Sequence, residues 1–217
     1  MKNIIDIIKD YLILYPYYYM FKSNRYFEFN GKKHKCFLGW YNKAWKNERT
    51  IEIPIILGLM EGYKKNQILE VGNVLSHYFP VQHDVVDKYE KAKGVINEDI
   101  VKFNPKTKYD LIISISTIEH VGWDEKPKEP QKVLKAIENL KKCLSSQGKI
   151  IITFPLGYNH FLDGLNKKSI GFKEIFYLKR ISKDNRWIET TFNKVKQVKY
   201  NYPFHNGNGI AVMIITK

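Results

Sequence analysis

The chain has 217 residues, of which 44% are hydrophobic and 27% are charged, values typical of a globular protein with a full core. Its formal net charge is +14, and the excess lies in the flanks: residues 1–66 carry about +6, 67–155 about +1 and 156–217 about +7. Such a balance favours acidic partners, including nucleic acid and anionic lipid, although a lysine-rich composition alone would also produce it. Cys36 and Cys143 form neither a disulfide framework nor a zinc spacing, so we expect a cytoplasmic protein.

The N-terminal segment is predicted to be an amphipathic helix and not a targeting signal. Charged residues interrupt its apolar positions, and its uncharged stretch from 11 to 21 is only about 11 residues long, against roughly 20 for a membrane span. Because Pro16 follows, we expect the helix to end near Tyr15. We expect it to pack on the domain, and the alternative is peripheral membrane contact through residues 1–21.

Two further elements are predicted before residue 67. Asn30-Gly31 is a strong turn pair and indicates a short hairpin over residues 25–38. A helix is expected to start at Glu48 or Thr50, with Pro54 in its first two turns. We therefore assign residues 1–66 to a helix-and-hairpin extension and residues 67–217 to the main domain.

From Gln67 onward, short β-branched runs alternate with polar stretches, a pattern typical of parallel strands buried on both faces and joined by helices. The runs lie at residues 68–72, 85–87, 95–96, 109–113 and 149–154. A helix is predicted at 131–144, with Gly148 as the stop that follows it. Residues 175–178 and 211–215 predict two more strands, with 186–192 as a further candidate. The fold class is therefore α/β, with a mostly parallel sheet.

Acidic and polar residues follow successive predicted strands. Glu70 and Gly72 end the first strand, Asp87 ends the second, Asp99 follows the third, and the fourth leads through Ser114 to His120. An open parallel sheet binds its ligand at the carboxyl ends of its strands, and carboxylates there can accept hydrogen bonds from ribose hydroxyls and an exocyclic amine. Glu98 competes with Asp99 for the third position.

From about Gln67 to Leu156, these motifs resemble the class I S-adenosylmethionine-dependent methyltransferases, particularly the broad small-molecule group. Residues 68–72 resemble the family's first motif, Asp87 its ribose-binding acid, Asp99-Ile100 its adenine-side pair and residues 118–121 its Glu-His segment. The resemblance implies a Rossmann-like, doubly wound sheet of about seven strands with an antiparallel last strand. It also implies S-adenosyl-L-methionine as the cofactor, which we expect to be held by Glu70, Gly72, Asn73, Ser76, Asp87, Asp99 and Ser114. Because an unpaired carboxylate in an apolar strand is costly, Glu70 is expected either to bind the ligand or to organise the loop that follows it.

The loop after Gly72 departs from the family, because Val74 and Ser76 stand where further glycines are common. A Cβ at a close backbone approach can block a ligand or require another path for the loop. Asn73 and Ser76 could compensate by hydrogen-bonding the amino-acid end of the cofactor.

His120 is the candidate general base, because a neutral imidazole can take a proton from an attacking hydroxyl; it could equally organise its loop. Glu119, Trp123, Tyr202 and His205 are the candidate acceptor-pocket residues, with Tyr202 and His205 in an aromatic loop before the last strand. No metal ligands are predicted.

The implied reaction is direct displacement of the activated methyl group by a small-molecule, sugar or lipid-linked glycan acceptor. RNA methylation is an alternative that the basic flanks motivate. A non-catalytic binding or scaffold protein with a degenerate cofactor site is another, motivated by Val74 and Ser76. No Asn-Pro-Pro-Tyr or Asp-Pro-Pro-Tyr box ends the fourth strand, which argues against enzymes that methylate nucleic-acid amino groups with that box.

Overall fold

The computed structural model describes residues 8–165 and 170–217. A π-helical segment, Lys9–Leu14, continues directly as α1, Tyr15–Lys22. The expectation that the helix ends near Tyr15 is therefore wrong. Pro16 is tolerated because it lies in the first turn of α1, just after the π-helical register in which the Tyr15 N–H bonds to the Asp10 carbonyl. Residues 1–7 of the predicted helix lie outside the described residues.

The hairpin and the second helix are confirmed. Strands β1 (Tyr26–Phe29) and β2 (Lys32–Lys35) pair antiparallel around Asn30 and Gly31, whose φ angles are 48° and 71°. Two consecutive positive φ angles are what a tight two-residue hairpin turn requires. Helix α2 spans Arg49–Met60 and contains Pro54 in its second turn.

Eight strands form the main sheet, in the order β5-β4-β3-β6-β7-β10-β8-β9. They are β3 (Ile68–Val71), β4 (Asp84–Val86), β5 (Val95–Ile96), β6 (Tyr109–Ile115), β7 (Leu144–Pro155), β8 (Glu174–Arg180), β9 (Trp187–Thr190) and β10 (Gly209–Thr216). The α-helices among them whose bounds the structure describes are α3 (Lys132–Cys143), α4 (His160–Asp163) and α5 (Phe192–Val195). The sheet thus has one strand more than the seven expected, and the additional edge strand β9 lies where residues 186–192 were the further candidate.

Strand directions follow the predicted plan. The five strands β3 to β7 pair with one another in parallel, whereas the last strand, β10, runs antiparallel to both of its neighbours, β7 and β8. β9 pairs antiparallel with β8. The antiparallel last strand is therefore confirmed, and the fold is the Rossmann-like α/β class.

The connections differ from the expected strand–helix–strand pattern. β3 leads to β4 through a single 3₁₀ turn, Leu75–His77, and neither β4–β5 nor β5–β6 contains an α-helix. These stretches are polar because they are loops. Among the described residues, α3 is the α-helix that joins two parallel strands, β6 and β7. Gly148 also lies inside β7 and is not a helix stop; a Cβ there would lie 2.8 Å from the carbonyl oxygen of Tyr109.

Both faces of the sheet are covered. Leu69, Ile112 and Ile150 pack with α3 on one face, whereas Ile68, Leu111 and Ile151 pack with α2 and the hairpin on the other. This alternation follows from the two-residue period of a strand. The hairpin and α2 therefore share a core with the sheet. Cys36 and Cys143 are free, buried thiols in different clusters of this core.

No helix within residues 8–165 and 170–217 has the length and apolar character to cross a bilayer.

Candidate functional site

A pocket of about 510 Å³ lies at the carboxyl ends of β3 and β4, where an open parallel sheet is expected to bind its ligand. Of the predicted site residues, Gly72, Asn73, Asp87, Asp99 and His120 line it together. Val74 also lines the pocket without filling it. The predicted residues that do not line it are Glu70, Ser76, Ser114, Glu119, Trp123, Tyr202 and His205.

Glu70 organises the loop of residues 72–75, part of which lines the pocket. Its side chain is fully buried, and its Oε1 accepts hydrogen bonds from the backbone N–H groups of Val74 and Leu75 at 2.9 and 2.8 Å. Its Oε2 lies 2.8 Å from Nε2 of His83. Because both oxygens are engaged within the protein, the structure gives Glu70 a loop-organising position and not a place on the pocket wall.

The glycine-poor loop keeps its shape through side-chain bonds. Gly72 has φ +87°, and its N–H donates to the Val86 carbonyl at 2.8 Å. Nδ2 of Asn73 donates to Oε1 of Glu90 at 2.6 Å, and Oγ of Ser76 donates to Oδ1 of Asn73. Ser76 therefore fixes the side chain of Asn73 from outside the pocket, and the loop leaves the pocket open.

Asp87 presents its carboxylate at the pocket wall on a fixed backbone. Oδ1 accepts the N–H groups of Tyr89 and Glu90, both at 2.8 Å, and Oδ2 accepts the N–H of Asn73 at 3.1 Å. An ionised carboxylate has about four acceptor sites, so capacity remains for a hydroxyl donor.

Asp99 is held by two lysines from different parts of the chain. Its Oδ2 lies 3.0 Å from Nζ of Lys88 and 2.9 Å from Nζ of Lys132. Burial acts to raise the pKa of Asp99, but hydrogen bonds from Lys132, the Val101 backbone and Lys88 outweigh it and lower the pKa to about 2. Glu98 also lines the pocket, so the structure leaves both acids at this position.

Comparison with solved structures agrees with the fold. No protein-family model and no curated protein matches the chain. Among solved structures, the N-methyltransferase NodS from Bradyrhizobium japonicum WM9, in complex with S-adenosyl-L-homocysteine, has a TM-score of 0.52 at 12% identity, covering 81% of this chain and 91% of that one. The chain has the fold of a class I S-adenosylmethionine-dependent methyltransferase.

Two further structures resemble the chain less closely. A possible histamine N-methyltransferase from Thermotoga maritima has a TM-score of 0.47 at 14% identity, covering 82% of this chain and 94% of that chain. An rRNA methylase from Streptococcus thermophilus has a TM-score of 0.42 at 13% identity, covering 76% and 96%.

In this methyltransferase fold, His120 stands at the rim of the pocket with about half of its side chain exposed. Its Nδ1 lies 2.5 Å from Oδ2 of Asp124, and the hydroxyl of Tyr158 donates to that same oxygen at 2.6 Å. Burial, the bond to Asp124 and the charge of Asp124 raise the pKa of Tyr158, so the phenol stays protonated as the donor. Tyr158 was missed by the sequence analysis, although it follows the end of the fifth parallel strand, β7.

Arg49 was also missed. It lines the pocket from the first turn of α2, where Nη1 donates to Oε2 of Glu52 at 2.6 Å and Nη2 donates to the Ser116 carbonyl at 3.4 Å. The signal was present in the sequence, because Glu48, Arg49 and Glu52 are charged residues at the start of a helix expected to be apolar on one side.

Three of the predicted acceptor residues lie elsewhere. Nζ of Lys128 stands 3.1 Å above the ring of Trp123, while Tyr202 and His205 line two separate depressions of about 370 and 470 Å³. The aromatic loop folds back on itself, since Asn201 and Asn206 exchange two hydrogen bonds. The expectation that this loop forms a wall of the pocket is therefore not met. Ser114 is fully buried inside β6 and does not line the pocket.

Gly72→Ala tests how closely the loop approaches the strand end beside it. An added Cβ would lie 2.2–2.8 Å from three atoms of Thr117, including its Cβ, so rotation of that side chain cannot relieve the clash. We expect a loss of about 2–4 kcal/mol in unfolding free energy, measured by urea denaturation. The control is Gly62→Ala, which has the same φ of +87° with no atom within 4 Å and should lose only about 1–2 kcal/mol. Equal losses in the two variants would contradict the close approach.

Proposed function

We propose that this chain binds S-adenosyl-L-methionine in the 510 Å³ pocket and transfers its methyl group to an acceptor that enters beside His120. The observation that carries the proposal is that Gly72, Asp87 and Asp99 line the same pocket. Three residues from successive strand ends meet there, as recognition of a nucleoside requires.

The residues present fit the proposed donor. The pocket volume lies within the usual range of about 300–1,000 Å³ for small-molecule sites. Asp87 would accept the ribose hydroxyls, and Asp99 or Glu98 would accept a hydrogen bond from the adenine amine. Val71, Val86 and Ile100, which also line the pocket, would supply apolar contacts for the base. Gly72 and Asn73 lie where the amino-acid end would approach the backbone.

Bound S-adenosyl-L-methionine supplies a methyl group already activated by the positive sulfonium, so the protein chiefly aligns the acceptor and excludes water. His120 can take the proton that a hydroxyl or amine acceptor loses. Asp124 orients the imidazole through Nδ1, and Tyr158 in turn fixes Asp124. This leaves Nε2 of His120 as the atom that would receive the proton.

We propose a small molecule, a sugar or a lipid-linked glycan as the acceptor. Exposed apolar residues on the N-terminal helix, including Leu12, Ile13, Met20 and Phe21, support peripheral contact with a membrane, where a lipid-linked acceptor would lie.

RNA methylation is a second candidate, favoured by a basic depression that contains an exposed aromatic residue. Lys179, Lys194, Lys199 and the 70% exposed Tyr202 line it. If RNA is the acceptor, polyuridylate should bind with an affinity that falls steeply with salt, measured by fluorescence anisotropy. An absence of salt-dependent binding would remove this candidate.

Asp87→Ala tests the ribose position. Loss of a carboxylate that pairs with the ligand should weaken binding of S-adenosyl-L-homocysteine by about 1–3 kcal/mol in isothermal titration calorimetry. The matched control is Asp110→Ala, which removes a partly buried strand carboxylate bonded to Ser145 and not lining the pocket, and should leave the affinity unchanged. Unchanged affinity in Asp87→Ala would refute its assigned role.

His120→Ala separates chemistry from donor binding. We expect the turnover number to fall at least about 100-fold while the affinity for S-adenosyl-L-homocysteine stays within about twofold. Turnover is measured with methyl-labelled donor and an acceptor found by screening. His160→Ala, a strongly exposed histidine elsewhere, serves as the control. A parallel loss of turnover and affinity would assign His120 to loop organisation instead.

A further inference from the structure

Three buried glutamates meet beside the proposed methyl-transfer site. Glu48 and Glu52 come from the start of α2, and Glu119 follows the end of β6; their exposed fractions are 7%, 0% and 1%. We call Glu48, Glu52 and Glu119 the glutamate cluster. It adjoins the pocket through two lining residues: Nη1 of Arg49 lies 2.6 Å from Oε2 of Glu52, and Nε2 of His120 lies 3.8 Å from Oε1 of Glu119.

The cluster has more carboxyl groups than partners for them. Arg49 donates to Oε2 of Glu52 at 2.6 Å, and Ser116 Oγ donates to its Oε1 at 2.6 Å. Oε2 of Glu48 accepts the N–H of Gly207 at 2.9 Å. By contrast, Oε2 of Glu119 is buried and has no hydrogen-bond partner. Burial, with the nearby charges of Glu52 and Glu48, raises the pKa of Glu119 well above its usual value.

Among the residues that the structure describes, the further cation beside Glu48 is already bonded elsewhere. Arg180 is close enough to interact with Glu48, but its guanidinium is committed to the carbonyl oxygens of Ser182, Lys183 and His205, each at 3.1 Å. A buried carboxyl oxygen without a partner costs about 1–3 kcal/mol or more. Because both oxygens of Glu52 and Oε2 of Glu48 have partners within the protein, the free Oε2 of Glu119 indicates a donor that arrives with a ligand.

Aromatic rings accompany the glutamates. Burial, followed by the charges of Glu48 and Glu119, raises the pKa of Tyr200, and the charge of Glu119 contributes to the raised pKa of Tyr158. The rings of these two tyrosines lie edge to face, with centroids 5.1 Å apart, and the ring of Tyr158 lies 5.0 Å from that of His120. Aromatic rings combined with carboxylates recognise ammonium groups through cation–π and charge-assisted hydrogen bonds.

We propose that the glutamate cluster, with Tyr158 and Tyr200, binds an amino group of the acceptor. Oε2 of Glu119 accepts a hydrogen bond from one N–H of that group. The acceptor class is thereby narrowed to amine-bearing small molecules or amino sugars. This inference rests on the proposed function, because it assigns the cluster to the acceptor side of the same site.

The test uses matched amines and alcohols as probes, with binding measured by calorimetry and ligand-observed NMR on the full chain. Tyramine is compared with tyrosol, and phenethylamine with 2-phenylethanol, in the presence and absence of S-adenosyl-L-homocysteine. We expect each amine to bind at least about tenfold more tightly than its alcohol. Equal binding, or no binding of either amine, would overturn the inference.

Glu119→Gln should remove this preference and weaken amine binding about 10- to 100-fold, as expected when a charge-assisted hydrogen bond is lost. Glu174→Gln, at an exposed position at the start of β8, is the control and should keep the preference. If Glu119→Gln fails to fold, judged by thermal melting, Tyr200→Leu provides the second variant, with the same loss expected. Retained preference in the folded variant would contradict the role of Glu119.

Donor affinities distinguish the remaining outcomes. In Glu119→Gln, affinities for S-adenosyl-L-methionine and S-adenosyl-L-homocysteine should both be unchanged. A loss confined to S-adenosyl-L-methionine would assign the cluster to the sulfonium, and a loss for both would assign it to the amino-acid end of the donor; either result overturns the inference. A wild-type chain that prefers amines but binds neither donor form would overturn the proposed function alone.

Discussion

The buried carboxylate of Glu70 fixes the loop on which the pocket depends. This loop lacks the glycines that usually let a backbone approach the cofactor, and Glu70 compensates by accepting the N–H groups of Val74 and Leu75. His83, on the approach to β4, holds the other oxygen. The carboxylate thus joins the loop after β3 to the segment entering β4, so that Gly72 and Asp87 line the same pocket. A strand acid that never lines the pocket still determines its shape.

Two kinds of interaction complete the site around this loop. Backbone N–H groups hold Asp87, and lysine side chains hold Asp99, so both acids keep their places before any ligand arrives. Such preorganisation lowers the entropic cost of binding. By contrast, Glu119, which does not itself line the pocket, has a buried oxygen with no partner. The acids proposed to contact the donor are therefore held in place by the protein itself, whereas Glu119 keeps an acceptor oxygen that a ligand can satisfy.

The fold was largely predictable because it depends on local patterns. The β-branched runs identify the strands, and Asn30-Gly31 identifies the hairpin. The strand ends also predicted that Gly72, Asp87 and Asp99 lie around one pocket, as they do. Local patterns do not reveal what long-range geometry decides. They left open whether Glu70 holds a ligand or its own loop, and they did not show that the loop of Tyr202 and His205 folds back on itself. Arg49 lines the pocket from α2, and Tyr158, from the segment after β7, contacts His120 and Asp124, so no short motif joins either residue to the site.

Hydrogen–deuterium exchange of the wild-type chain, with and without saturating S-adenosyl-L-homocysteine, tests the donor site most directly. Binding between the ends of β3 and β4 should slow exchange of the backbone amides in residues 72–75 and 87–90, with little change in the β1–β2 hairpin. The slowed segments would then coincide with the N–H groups that Glu70 and Asp87 hold. Protection confined to other segments, or no protection even with S-adenosyl-L-homocysteine in large excess, would contradict a donor site in this pocket.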